Sequence, residues 1–597
     1  MFGKGCLTAS SVPLHRNKAS ELLLASAIAL LSSIMLYQAS TLRLSFAIYI
    51  AALAGFVACI FISSVYFDLK ITLFTIFAFS LVRGVMFFFA TDFLVLPFGD
   101  TYGQLAVSTS IYQSGHLAFI PNLTLNPVFG LSGYSTWPGL EILTTSFSRF
   151  SGMPLLYAAM ALSIVIYIVL LLAGYGVIRA ILWDVPGRFR SFVAFPLMVM
   201  TSFYFMDIPP EYKYDALATV FLFLLMLLVI RSSSDLSKSL AFPFSLLIGA
   251  LTITHNLTAL AWIVFLLPFL ILGRTGNLLG LRHPSVRNLR ALSLVLVTSA
   301  ISVLAWALYG SPYGVNLFFY EGNTWQGLFS NLLTFSLGNI SNVRAYLNVP
   351  PVLSTFTPNW LLSLLRIRDY LYLFLLASGY VLVLVRPKLI PNTKALFALA
   401  IAGPLVAYTI LTPNTGVEGR FSPLFAPLIG VIILLPFLLA QRSWPNFARV
   451  GVIAVCALLL FASGLGFWAN SYAPVYLYNP GSSAANFGEH PLTYPAVADF
   501  ISSTPSLKCI FTNEVYVTSA ILRIGQLQGL GLVGYEPAQA GCIVIVYRDV
   551  GSFNSSYVTE DSGFYHGFSD SSFASYLSLH SDAVLSTSGP TNMYILV

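Results

Sequence analysis

Residues 153–178 read MPLLYAAMALSIVIYIVLLLAGYGVI, a stretch that contains no charged side chain. A helix that crosses the hydrocarbon core of a bilayer needs about 20 predominantly apolar residues, so this stretch predicts a transmembrane helix. Similar runs recur and predict thirteen spans, at residues 20–39, 44–66, 70–90, 153–181, 191–206, 214–230, 239–254, 257–273, 291–309, 370–385, 395–412, 422–440 and 450–469. The expected fold class is therefore an α-helical polytopic membrane protein.

The composition supports this class. Only 9% of the residues are charged, compared with about 25% in soluble domains, and 57% are hydrophobic. A chain of 597 residues with this composition is long enough for several domains, but most of its surface must be solvated by lipid. The composition excludes an ordinary soluble globular protein.

The distribution of lysine and arginine predicts the orientation. These residues are concentrated before the first span and in alternate loops, for example Lys4, Arg16 and Lys18, then Arg179, Arg188 and Arg190, then Arg274, Arg282, Arg287 and Arg290. By the positive-inside rule the N-terminus lies in the cytoplasm, and thirteen spans then place the C-terminus outside the cell. The basic residues behind the formal net charge of +7 thus set the orientation and are expected to contact anionic lipid. A nucleic-acid partner is not expected.

The sequence predicts three parts of the chain. Residues 1–69 form a cytoplasmic segment and a transmembrane hairpin, residues 70–469 form the main bundle with large outer loops at 91–152 and 310–369, and residues 470–597 form an extracytoplasmic domain. In the last part, apolar runs at 509–511, 542–547 and 593–597 alternate with helix-like stretches near 494–503, 515–524 and 571–579, which is typical of a small α/β domain. Cys509 and Cys542 are expected either to form a disulfide there or to be two buried thiols that open neighbouring strands.

Asp100 is the main candidate for chemistry. It follows the third predicted span in the sequence Leu96-Pro-Phe-Gly-Asp100 and precedes a stretch, 101–115, that could form an interfacial helix. The carboxylate could serve as a catalytic base at the membrane surface, as a helix N-cap, or as both. His116 either lies near the same surface or is an ordinary loop histidine.

Two further outer segments carry charged residues. Residues 137–141 read Trp-Pro-Gly-Leu-Glu and start an amphipathic stretch that lies on or dips into the outer leaflet, where Glu141 is expected on the helix surface. In residues 207–215, Lys213 could bind a phosphate and the acids, including Asp215, could hold a cation. The alternative for this segment is a solvated turn with an internal ion pair.

Three more ionisable residues lie close to or within predicted spans. His255, in the short turn Thr254-His-Asn256, could carry a proton, bind phosphate or cap a helix. Arg420 opens the twelfth span from outside, where both the positive-inside bias and the helix dipole oppose a cation, so a lipid phosphate or Glu418 is expected beside it. Arg83 lies inside the third span and is expected to face the bundle interior.

This arrangement resembles the GT-C glycosyltransferases, including the protein O-mannosyltransferases and the aminoarabinose transferases. The resemblance rests on the acid of the first large outer loop, the Trp-Pro-Gly-Leu stretch, the arginine of the last outer loop and the external C-terminal domain, and it covers roughly residues 70–470. In this resemblance Asp100 matches the loop acid, Lys213 and Asp215 match a small charged motif, and Arg420 matches the arginine of the last loop. Two features differ, since the acid follows the third span rather than the first, and its neighbour is Thr101 rather than a second acid.

The resemblance implies transfer of a sugar from a polyprenyl- or dolichyl-phosphate donor to a protein, lipid or glycan acceptor. Asp100 would be the general base, with Arg420, His255 and Lys213 on the lipid phosphate and with His116, Asp215, Arg83 and Glu141 in support. No cofactor is expected, and a divalent metal is neither indicated nor excluded. A transporter and a non-catalytic scaffold for cell-envelope assembly are the alternatives.

Overall fold

The computed structural model describes residues 18–40, 46–66, 69–90, 100–117, 136–182, 194–204, 212–232, 241–275, 286–310, 359–386, 398–400, 424–443, 445–467, 509–512, 542–547, 581–586 and 591–596. In this part of the chain the fold is a helical bundle followed by a small sheet. The first eight helices are α1 (Lys18–Ser40), α2 (Phe46–Tyr66), α3 (Leu69–Ala90), α4 (Asp100–Ser114), α5 (Gly139–Ser151), α6 (Leu155–Leu182), α7 (Ala194–Tyr204) and α8 (Tyr214–Ser232).

The remaining helices are α9 (Ala241–Thr254), α10 (Asn256–Thr275), α11 (Val286–Ala305), α12 (Asn359–Val385), α13 (Ala426–Ser443) and α14 (Pro445–Phe467). A short π-helix, Trp306–Gly310, continues α11. Each predicted span coincides with one of these helices except 395–412, of which only residues 398–400 are described. Helix α12 begins eleven residues before the predicted span because Arg366 and Arg368 interrupt the apolar run without ending the helix.

Eight of the helices in the described residues are long and apolar enough to cross a membrane, and three more are apolar but shorter. The chain is therefore an integral membrane protein. Many large apolar side chains on these helices are exposed, such as Leu172 of α6 and Leu294 of α11. Such side chains are expected to contact lipid, because the exposure of large apolar surfaces to water is energetically unfavourable. The total of thirteen spans and the orientation of the termini stay predictions.

The helices pack around one apolar core. Helices α1, α2 and α3 contact one another, and α2 also packs on α14. There the hydroxyl of Tyr49, a buried residue, donates a hydrogen bond of 2.6 Å to the carbonyl of Gly464. Helix α6 contacts α8 and α13, and α13 also contacts α7 and α12. The shorter helices α4 and α5 pack on this bundle through α6.

Helices α4 and α5 lie within the predicted outer loop 91–152 and pack side by side. The hydroxyl of Thr145 donates to the carbonyl of Ser108 at 3.1 Å, and Arg149 Nη2 donates to the carbonyl of Tyr112 at 2.6 Å. Both partners advance by four residues between these two contacts, so the helices run parallel. The loop acid Asp100, at the start of α4, therefore lies at the same end of the pair as the start of α5.

The C-terminal part contains a four-stranded sheet. Its strands are β1 (Cys509–Thr512), β2 (Cys542–Tyr547), β3 (Ser581–Ser586) and β4 (Thr591–Leu596), in the order β1-β2-β4-β3. Strands β1 and β2 are parallel, and the other two pairs are antiparallel. The three predicted strands are present and β3 is an addition, whereas the predicted helices at 494–503, 515–524 and 571–579 lie outside the described residues.

Candidate functional site

The predicted site residues that the structure describes are brought together mainly at one end of the bundle. This is the end at which α4, α5, α8 and α10 begin and α9 ends. A single non-helical residue, His255, separates α9 from α10. The segment before α8 carries Lys213, and the start of α5 carries Glu141. We call this end of the bundle the polar end.

Tyr212 is the centre of the polar end. Its side chain is fully buried, and its hydroxyl lies 2.8 Å from Ser108 Oγ of α4 and donates to Thr144 Oγ1 of α5 at 2.7 Å. Burial raises the pKa of Tyr212 first, and the neighbouring Glu141 carboxyl raises it further. Tyr212 is therefore a neutral hydroxyl at every physiological pH and joins three segments of the chain.

Tyr214, two residues after Tyr212, is also hydrogen-bonded to α4. The backbone N–H of Tyr214 donates to Gln104 Oε1 at 3.1 Å. Gln104 is buried and lies one helical turn after Asp100. Lys213, which is partly buried, therefore lies between two residues that are both bonded to α4. Asp215 lies in the first turn of α8, where the helix dipole favours a negative charge.

His255 is buried among aromatic rings. Its ring centroid lies 4.8 Å from that of Tyr214 and 6.3 Å from that of Trp137, and the Trp137 ring is nearly perpendicular to it. Its Nδ1 lies 2.7 Å from Thr258 Oγ1, one turn into α10. This contact joins two side chains and involves no backbone N–H, so the capping role of His255 stays a prediction. The ring contacts place the histidine beside Tyr214, next to Lys213, and beside Trp137 at the start of α5.

The expected surface position of Glu141 is wrong. The residue has no exposed area, and neither carboxylate oxygen has a hydrogen-bond partner in the described part of the chain. Burial raises the pKa of Glu141 well above its ordinary value, because an ionised carboxylate is poorly solvated there. A neutral carboxylic acid at this position is the form that the environment favours.

The position of Glu141 follows from the way α5 is turned. Its buried residues are Leu140, Glu141, Thr144, Thr145 and Ser148, so that its mainly polar face contacts α4 and α8. Three of its large apolar residues, Ile142, Leu143 and Phe150, are exposed, whereas Leu140 is buried and Phe147 packs on the core. The amphipathic pattern of the sequence is real, but in a membrane protein the apolar face can be the outer one.

Close backbone packing fixes the start of α5. A Cβ atom at Gly139 would collide with the side chain of Thr254, the last residue of α9. The indole N–H of Trp306 donates to the carbonyl of Thr136 at 2.9 Å and ties the same region to the π-helix. The other end of α5 stops at Gly152, which has a φ of 69° in the left-handed region that glycine adopts without strain.

The other predicted site residues lie elsewhere. Arg83 is buried inside α3, as expected, with its guanidinium 5.8 Å from the Phe79 ring centroid and beside Tyr167 of α6. His116 is exposed at the far end of α4 from Asp100, so it does not join the polar end. Its Nδ1 lies 3.0 Å from the carbonyl of Ser114, which is the geometry of an ordinary loop residue.

Several predictions concern residues or side chains outside the described part of the structure. These are Arg420 and the side chains of Asp100, Cys509 and Cys542. In the residues that are described, no group of three or more histidine, cysteine, aspartate or glutamate side chains is arranged to hold a metal ion.

Tyr212, Gln104 and Thr144 could not be identified as site residues from the sequence. Each is a common residue type that has no motif around it, and their bonds to other segments join positions 68 to 110 residues apart. Only the proximity of Tyr212 to Lys213 could have drawn attention to that segment.

Comparison with known proteins gives distant neighbours. A scan against protein-family models and a search of curated proteins both found no match. Among solved structures, the chain is similar to ArnT from Cupriavidus metallidurans bound to undecaprenyl phosphate, with 12% identity and a TM-score of 0.45 over 89% of this chain and 99% of that one. It is also similar to the apo oligosaccharyltransferase from Archaeoglobus fulgidus, with 12% identity and a TM-score of 0.48 over 76% of this chain and 63% of that one.

A third neighbour is the Archaeoglobus fulgidus oligosaccharyltransferase AglB in complex with an inhibitory peptide and a dolichol-phosphate, with 10% identity and a TM-score of 0.47 over 83% of this chain and 74% of that one. The identities are low, so we base the assignment of function on the residues of the polar end.

Proposed function

We propose that this protein is a membrane glycosyltransferase that moves a sugar from a polyprenyl- or dolichyl-phosphate donor to an acceptor on the extracytoplasmic side. The observation that carries the proposal is the convergence at the polar end of the start of α4 at Asp100, Lys213, His255 and the buried Glu141. An acid that can accept a proton and a cation that can stabilise the leaving phosphate are groups that such a transfer uses, and both belong to the end of a transmembrane bundle here.

The reaction is a single displacement. The carboxylate of Asp100 accepts a proton from the acceptor hydroxyl or amine as that oxygen or nitrogen forms a bond to the anomeric carbon. The bond between the anomeric carbon and the phosphate oxygen breaks, and its electron pair leaves with the lipid phosphate. Attack from the opposite side inverts the configuration at this carbon. The leaving phosphate is already ionised, so the step needs no general acid.

The cations stabilise the leaving group. Lys213 lies between the two residues bonded to α4, and its ammonium is the cation of the polar end that the structure describes. Arg420 is assigned to the same phosphate, because a cation at the outer start of a span is unfavourable unless an anion accompanies it. His255, beside Tyr214, is the third phosphate ligand in this scheme.

The test is sugar transfer by the purified protein in lipid nanodiscs. A panel of radiolabelled polyprenyl-phosphate sugars is incubated with the wild type, with Asp100→Asn and with the control Glu21→Gln, which changes an acid in the first turn of α1. We expect the wild type and the control to release sugar, and Asp100→Asn to be about 100-fold slower or worse, as is typical for the loss of a general base.

Two outcomes would contradict the proposal. Full turnover by a folded Asp100→Asn variant would remove Asp100 as the base. No turnover by the wild type with any donor, with hydrolysis by water also absent, would favour a scaffold. Substrate flux across vesicles without chemistry would favour a transporter.

A further inference from the structure

The hydroxyl of Tyr212 joins three segments that are distant in sequence. It lies between Ser108 of α4 and Thr144 of α5, at 2.8 Å and 2.7 Å, and it stands just before α8. The side chain has no exposed area. Its two bonds are therefore made in a region without water, where hydrogen bonds are strong and directional.

The bond between Tyr212 and Thr144 has a defined direction. Thr144 Oγ1 donates its proton to the carbonyl of Leu140 at 2.8 Å, so toward Tyr212 it acts as the acceptor. Tyr212 has only one proton, which is used on Thr144, so Ser108 is the donor when these two hydroxyls are bonded. Ser108 Oγ also lies 3.0 Å from the carbonyl of Gln104, and its one proton is shared between that carbonyl and Tyr212. The bond to Thr144 ties the segment before α8 to α5, and the 2.8 Å approach of the Tyr212 hydroxyl to Ser108 holds the same segment against α4.

A second bond fixes the same segment two residues later. The N–H of Tyr214 donates to Gln104 Oε1 on α4. Lys213 is held between these two attachments, and both of them end on α4, at Ser108 and Gln104. Because α4 begins at Asp100, one turn before Gln104, the attachments determine how far Lys213 lies from the first turn of α4.

We infer that Tyr212 is a positioning residue for the transfer reaction, because its hydroxyl holds Lys213 in register with the start of α4, where Asp100 lies. This inference rests on the proposed function. Tyr212 is buried behind the segment and does not touch the substrate. Its role is to keep the base and the phosphate-binding cation at a fixed separation, and a displacement of about 1 Å in such a site can cost on the order of 100-fold in rate.

The test compares Tyr212→Phe with a matched control. Phenylalanine keeps the ring and removes only the hydroxyl. Tyr49→Phe removes another fully buried hydroxyl that bonds between two helices, on the carbonyl of Gly464 in a different part of the bundle. Both proteins are studied in nanodiscs by transfer kinetics, by thermal unfolding and by hydrogen–deuterium exchange.

We expect Tyr212→Phe to lower kcat by about 10- to 100-fold, while its apparent Tm falls no more than that of Tyr49→Phe. Amide exchange should accelerate in the segments 101–105 and 212–216 of Tyr212→Phe alone. Because Tyr212 acts through the separation of Asp100 from the phosphate, its effect on the residual rate of Asp100→Asn should be less than about twofold, which a merely structural role would not produce.

Three results would overturn the inference. These are an unchanged kcat in Tyr212→Phe, an unchanged exchange pattern in the two segments, and a full effect of Tyr212→Phe in the Asp100→Asn background. If the wild type transfers no sugar, the proposed function fails separately, and the inference fails with it as a statement about catalysis. Acceleration of exchange confined to the two segments would then still establish Tyr212 as the residue that holds them together.

Discussion

Gly139 packs directly against Thr254, so that the first turn of α5 touches the turn that joins α9 to α10. A Cβ atom built on Gly139 would lie 3.0 Å from the Cα of Thr254 and closer still to its hydroxyl oxygen. Only a residue without a side chain allows this approach. The contact brings Trp137 beside His255 and Glu141 beside Tyr212.

Substitution of Gly139 by alanine should therefore push α5 away from the α9–α10 turn. Overpacking of this kind typically costs about 1–3 kcal/mol, and we expect a lower apparent Tm together with a loss of transfer of about tenfold or more. Gly249→Ala is the matched control, because a Cβ at this position on α9 meets no atom within 4 Å. The control should be neutral or slightly stabilising, since alanine favours a helix. Equal behaviour of the two variants would refute the role of the contact.

Glu141 should make the stability of the protein depend on pH. Burial raises its pKa in the folded protein above the ordinary value near 4.5. Between these two values the folded state binds a proton that the unfolded state has lost, so the free energy of unfolding decreases as the pH rises. For one full proton the slope is at most about 1.4 kcal/mol per pH unit.

Glu141→Gln keeps the shape of the neutral acid and cannot ionise. We expect the apparent Tm of the wild type to fall more steeply than that of the variant between pH 5 and pH 8, and the two values to converge near pH 4. Scanning calorimetry or fluorimetry in nanodiscs at a constant heating rate measures this difference. Parallel curves across the whole range would show that Glu141 ionises as freely as an exposed glutamate.

The positions of the helices were predictable, because the bilayer imposes a length and a composition that can be read from the sequence. The run 153–178 lies inside α6 almost in full. The face of α5 was not predictable in the same way. A helical period shows that Glu141 and Thr144 share one side, but it does not show whether that side faces water, lipid or protein.

The polar end was predictable only in part. Lys213 and His255 are conspicuous because charged or titratable residues are rare near membrane spans. Tyr212 is one of 31 tyrosines, and its importance comes from contacts with α4 and α5 that no local pattern encodes. Strand β3, which reads SDAVLS, was missed for a related reason, since it lacks the apolar run that marked β2.

The hydrogen bond of Trp306 should be needed to hold the residues just before α5 in position. Its indole N–H donates to the carbonyl of Thr136, next to Trp137. Trp306→Phe removes a bond worth about 1 kcal/mol, and we expect lower transfer activity with only a small change in Tm. Trp262→Phe, which removes an indole bond to Ser299 Oγ between α10 and α11, is the control and should keep its activity. A larger loss of activity in the control would contradict the assignment.

The cysteines of the sheet provide a test that is independent of activity. Strands β1 and β2 are parallel, and Cys509 is the register partner of Cys542. Neighbouring strands lie about 4.8 Å apart, which is within the roughly 4.4–6.8 Å between Cα atoms that a disulfide spans. If this sheet lies outside the cell, as predicted, the compartment favours oxidation.

We therefore expect a disulfide between Cys509 and Cys542, and alkylation followed by mass spectrometry measures it. The chain has five cysteines, of which Cys59 and Cys456 are buried free thiols in the bundle. The protein is denatured and alkylated without reductant, which should modify three thiols, because two of the five are in the bridge. Prior reduction should raise the number to five, whereas in Cys509→Ser it should be four under both conditions. Modification of all five thiols without reductant would show that the pair is reduced, and would also count against an extracytoplasmic location of the sheet.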